Sequence, residues 1–74
     1  MNKQRRKKLA EAIELISQAK DILEEVKDEE QEAFDNLPES FQYGERGEQM
    51  QEYIDSMDEA YGNLEDVECT LGEI

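Results

Sequence analysis

Seventy-four residues give room for one small domain, and a chain this short buries too little by itself unless a disulfide, a metal or an oligomer adds to it. One cysteine, Cys69, excludes an internal disulfide, and the lack of histidine removes the commonest transition-metal ligand. With 21 acidic against 8 basic residues the formal charge is −13, which at long range repels nucleic acid and anionic membrane surfaces.

The charge is unevenly placed. The opening MNKQRRKK holds Lys3, Arg5, Arg6, Lys7 and Lys8. Residues 9–74 keep only Lys20, Lys27 and Arg46 against all 21 acids, a formal charge of −18. The apolar stretch after the basic run is interrupted by Glu11, Glu14 and Gln18, so it reads as neither a signal peptide nor a membrane span. A free thiol without an export signal fits the cytoplasm of the cell where the protein works.

A first helix is expected over about residues 4–34. From Leu9 to Val26 the apolar residues Leu9, Ala12, Ile16, Ala19, Leu23 and Val26 alternate steps of three and four, with no Gly or Pro between them. Taking Leu9 as heptad position a, the a and d series continues through Glu30, Ala33 and Leu37. Ile13 and Phe34 then fall at e, and Leu15 and Ile22 at g, so the apolar stripe is wider than a two-helix seam.

Residues 35–44 form the connection, with the only proline, Pro38. Asn36-Leu37-Pro38-Glu39 has the form of a capping box for one short helical turn, and Gly44 can end that turn or begin the next helix. A second helix follows over about 45–71. Its a and d series is Met50, Tyr53, Met57, Ala60, Leu64, Val67, Leu71 and Ile74, with Ile54 and Tyr61 at e. Gly62 lies outside, at f.

Two helices joined this way fold back antiparallel, giving an all-α, coiled-coil-like two-helix hairpin as the single domain of residues 1–74. The preferred register sets Ala12 against Leu71, Ala19 against Leu64, Leu23 against Ala60 and Val26 against Met57, small against large. Glu30 then meets Tyr53. The basic run comes to lie beside Glu65, Asp66, Glu68 and Glu73, which offsets the unfavourable placement of both helices' end charges on the helix dipole. Ile13, Leu15, Ile22, Phe34, Ile54 and Tyr61 flank the seam, and one partner helix cannot cover them all. Their burial is worth about 9–18 kcal/mol as an upper bound, so a second hairpin is expected to pack on the first as a homodimeric four-helix bundle.

The residues for chemistry are few. There is no Gly-rich phosphate loop, no Ser beside a general base and no C-x-x-C, so neither an enzyme nor a cofactor is expected. Glu48/Glu52 and Asp55/Glu59 pair carboxylates one helical turn apart, but an outward, solvated acidic face explains them better than a metal site. Cys69 falls at f as a surface thiol. The arm Lys3, Arg5, Arg6, Lys7 and Lys8 could touch nucleic acid, which the acidic body opposes. Leu37, Phe41 and Tyr43 gather at the turn as a core cap or an apolar knob for a partner.

Within residues 28–60, the segments EEQEAFDNLPES and ERGEQM, with the acidic helix after them, resemble small uncharacterised acidic helical-hairpin proteins of bacterial and phage genomes. That resemblance covers about half of the chain and implies no activity or site residues. In size and acidity the chain is also similar to phage-encoded inhibitors of host proteins. The function expected is therefore a protein–protein interaction module, such as an inhibitor that engages a basic host protein through acidic faces imitating nucleic acid, or through the aromatic turn. The alternatives are a structural bundle without a separate ligand and a nucleic-acid-binding accessory protein acting through the basic arm.

Overall fold

The computed structural model describes residues 1–74 and is all-helical. Helix α1 spans Lys3–Asp35, α2 is a single turn over Glu39–Gln42, and α3 spans Glu45–Gly72. Good helix formers fill α1, and no Gly or Pro breaks it. Its first turn carries basic residues against the dipole, and Asn2 offsets part of that cost by accepting a hydrogen bond from the Arg5 N–H at 2.8 Å. Helix α3 opens with Glu45 and Glu48, a favourable sign at its N-terminus. Acids nevertheless close both long helices, Glu32 and Asp35 on α1 and Glu68 and the C-cap Glu73 on α3, so the expected opposition to the dipole holds at these ends and fails only at the N-terminus of α3.

The link between α1 and α3 is ordered by backbone groups and one side chain. The Asn36 N–H closes α1 on the Glu32 carbonyl at 3.0 Å, and Gln42 Nε2 donates at 3.1 Å to the Phe34 carbonyl, which also accepts from the Leu37 N–H at 3.1 Å. The short turn at Asn36–Glu39 forms without a capping box: Pro38 is the N-cap residue of α2 and no side chain caps it. Gly44 begins α3 with extended φ and ψ. The glycine that the link requires is Gly47, which is buried against the main chain of Gln42. A Cβ there would stand 2.1 Å from the Gln42 carbonyl oxygen, whereas one at Gly44 would meet nothing closer than 3.6 Å.

The two long helices lie antiparallel and form a rod of 58 × 15 × 12 Å. Its radius of gyration of 17.1 Å compares with about 11 Å for a globular domain of this length. The exposed surface, 5821 Å², exceeds the roughly 4,700 Å² of a compact monomer of this mass. The core is accordingly thin. Ile54, at 7% exposure, is the only buried hydrophobic residue.

The seam runs along positions a and e rather than a and d. On α1 it is lined by Leu9, Ile13, Ile16, Lys20, Leu23, Lys27, Glu30 and Phe34. On α3 it is lined by Gly47, Met50, Ile54, Met57, Tyr61, Leu64, Glu68 and Leu71. The small-on-large layers of the sequence-based register are thus turned partly outward: Ala19, Val26, Ala60 and Tyr53 are exposed. Side-chain size accounts for the turn. Alanine fills four of the eight apolar d positions (Ala12, Ala19, Ala33 and Ala60), while the apolar e residues are Ile13, Phe34, Ile54 and Tyr61, each with more apolar area to remove from water than an alanine. A rotation of roughly half a residue step about each helix axis exchanges one set for the other. Glu30 stays half-buried and makes no hydrogen bond with Tyr53, which this rotation carries away.

Two glycine replacements test this account. Gly47→Ala should destabilise the fold by about 1–3 kcal/mol through overpacking on Gln42. Gly62→Ala, with nothing within 4 Å of its added methyl, should stabilise it by about 1 kcal/mol. Urea denaturation followed by circular dichroism at one fixed protein concentration measures both, and equal effects would refute the close approach at Gly47.

Candidate interaction surfaces

One side of the seam is polar. Position e of α1 meets position e of α3 there, as expected of antiparallel helices. Lys20 Nζ lies 2.7 Å from Glu68 Oε1, both side chains being mostly covered, and it also stands 5.0 Å from the centre of the Tyr61 ring. The ammonium is offset from an aligned hydrogen bond, and Glu68 Oε1, shut off from solvent, has no other partner. Two turns further on, Lys27 Nζ donates to Asp58 Oδ1 at 2.9 Å. The aliphatic stems of both lysines complete the seam while their charged ends reach its edge.

These contacts raise the pKa of both lysines. For Lys20 the polar contact with Glu68 is the largest cause, partly opposed by desolvation and reinforced by the charges of Glu68, Tyr61 and Glu65. For Lys27 the hydrogen bond to Asp58 comes first, again opposed by desolvation, with Asp58, Asp28 and Glu24 adding to it.

The basic arm is less engaged than the sequence suggested. Arg6 Nη1 donates to the main-chain oxygen of Ile74 at 3.2 Å. Lys20–Glu68 and Lys27–Asp58 are the only ion pairs of the chain, so Lys3, Arg5, Lys7 and Lys8 make none with Glu65, Asp66 or Glu73. Their side chains sit on the exposed first turns of α1.

The other side of the seam carries positions d and g of both helices. Between Leu9 and Val26 on α1 these are Ala12, Leu15, Ala19, Ile22 and Val26. From Gln49 onward on α3 they are Gln49, Tyr53, Ser56, Ala60, Asn63, Val67, Thr70 and Ile74. No side chain in either row is charged. All but Ala12 are exposed, with Leu15 at 60% and Ile22 at 62%. The carboxylates occupy b, c and f almost exclusively, and so cover the remaining faces of the rod.

The six residues expected to flank the seam therefore divide. Ile54 is buried, and Ile13, Phe34 and Tyr61 are half-buried inside the hairpin, whereas Leu15 and Ile22 remain on the open d/g face. At the turn Leu37 is half-buried, and Phe41 and Tyr43 project into solvent, Tyr43 at 79% exposure. Cys69 is free and exposed. No three Asp, Glu or Cys side chains converge on one point, and no helix is long and apolar enough to cross a membrane. No protein-family model, curated protein or solved structure matches the chain.

What sequence reading missed was the uncharged face as a unit. Its signal was present in the polar members Ser56, Asn63 and Thr70, which fill the g positions of α3 where a solvated face of this protein would have carboxylates.

The lysine contacts give a pH dependence with a definite sign. A folded-state pKa above the unfolded one contributes stability that is complete below the ordinary lysine value of 10.5 and is lost as pH rises through the folded value. Carbon-13 titration of the lysine side chains should place Lys20 and Lys27 above 10.5, and Glu68→Gln should return Lys20 toward it while leaving Lys27 raised. A Lys20 midpoint unmoved by Glu68→Gln would remove Glu68 as the principal cause.

Proposed function

We propose that the protein is a non-enzymatic interaction module: a rod that pairs with a second hairpin as a four-helix bundle and presents carboxylate rows to a basic, nucleic-acid-binding surface of another protein. The observation that carries the reading is the segregation of charge along the rod. Acids line b, c and f over a length of 58 Å, and only Glu68 and Asp58 are neutralised by a lysine. A nucleic-acid strand sets one phosphate about every 3.4 Å, or about 17 over that length. The chain's 21 acids and net charge of −13 fall in the same range. Helices hold such charges in fixed positions, so a basic groove binding them is spared the cost of ordering a flexible ligand.

The dimer is favoured by the thin core and the excess of exposed surface, which leave the single hairpin short of what a stable small domain buries.

Capture of proteins from a host lysate on the immobilised full chain tests this function. A stoichiometric nucleic-acid-binding partner should be retained at low salt, released at high salt, and displaced by excess DNA or RNA. Retention that withstands both salt and competing nucleic acid would overturn the acidic-face reading, as would the absence of any stoichiometric partner.

A further inference from the structure

We infer that the uncharged d/g face is a self-association surface, and that its occupant is a second copy of the chain related by a two-fold axis perpendicular to the rod. The inference rests on the four-helix-bundle reading above and gives it a face, a direction and a centre. Two copies that each carry −13 repel almost everywhere. They can approach without opposing carboxylates only through Leu15, Ala19, Ile22 and Val26 of α1 and the Tyr53–Val67 row of α3. Alanines and serine between larger side chains let the backbones come close while Leu15, Ile22 and Tyr53 fill the spaces between. Over Gln49–Ile74 the uncharged face is about 38 Å long at 1.5 Å per residue, which by the rod's 15 Å width offers roughly 570 Å² per copy and about 1,100 Å² for both, at the lower end of specific interfaces.

The charges at the ends of the face select the direction. At the open end of the hairpin Arg5 (d) and Lys8 (g) border the face and lack a carboxylate within the chain. At the turn end Glu29 (g) and Arg46 (d) border it, and the surrounding Glu30, Glu32, Asp35, Glu45 and Glu48 leave that end acidic. Hairpins laid head to head would bring basic arm to basic arm. Laid head to tail they bring the unpaired arm of each copy to the acidic turn end of the other. One axis position also satisfies the apolar pairing: Leu15 with Ile22, and Lys8 with Glu29, are both centred on α1 between Gln18 and Ala19. An axis there packs α1 on the partner's α1 and α3 on the partner's α3, a closed, isologous contact.

Sedimentation equilibrium of the full chain, with Cys69→Ser to remove the exposed thiol, reads the outcome. The parent should be a dimer at micromolar concentration. Ile22→Glu places a carboxylate on the face at an exposed position, so the hairpin should stay helical by circular dichroism while the dissociation constant rises at least about 100-fold. Ala10→Glu, at b on the opposite side, should change it less than about threefold. In the same Cys69→Ser background, Ala19→Cys should form a disulfide-linked dimer on mild oxidation. Ala12→Cys should not, since the paired sites would lie about 20 Å apart along the helices. A monomeric parent overturns the bundle itself. A dimer indifferent to Ile22→Glu overturns the face but leaves the bundle standing, and failure of Ala19→Cys to cross-link overturns the head-to-tail axis alone.

Discussion

The competition between two rows of side chains for one seam decides the rest of this structure. Position a is occupied on both helices by residues large enough to pack, and the second row can come from d or from e. Choosing e buries Ile54 and half-buries Ile13 and Tyr61, at the cost of drawing Lys20, Lys27 and Glu68 to the edge of the core. That cost is small, because the lysine stems are apolar and their ammonium groups find Glu68 and Asp58. The choice has a second consequence: every residue at d, together with its neighbours at g, is left on an open face.

Much of the architecture was legible in the sequence. Helix periodicity, the absence of Gly and Pro through α1, and the cluster of turn residues around Pro38 place two long helices and a short link, and α1 and α3 end within one residue of the limits expected. The rotation of the seam was not legible from spacing alone. A heptad count gives alanine the same weight as leucine and gives lysine none, whereas burial depends on area and a lysine stem has plenty. Gly47 escaped notice for a different reason. Its role depends on the path of the Gln42 backbone, a contact between link and helix that no local pattern encodes.

The interaction surfaces were half legible. Leu15 and Ile22 stood out as apolar residues outside the seam, and they remain exposed. Ile13, Phe34, Ile54 and Tyr61 looked similar by letter but are drawn inside the hairpin, so the open face rests on fewer large residues than the sequence suggested. What makes it a face is the lack of charge rather than strong hydrophobicity. In a chain with 39% charged residues, two adjoining rows uncharged from Leu9 to Val26 on α1 and from Gln49 onward on α3 are a more specific feature than scattered apolar side chains.

Charge and self-association also depend on each other. Any contact between copies has to be made where carboxylates are absent, and the same segregation concentrates them on the outward faces. The head-to-tail pair proposed above would overlay the two rods along their common length and spread a net charge of −26, twice −13, over roughly the rod's 58 Å. A nucleic-acid duplex of that length carries about 34 phosphate charges. The single hairpin is nearer to one strand in charge density, and the pair is nearer to a duplex. The d/g face would therefore set which kind of basic groove the acidic faces fit, even though it contributes no charge of its own.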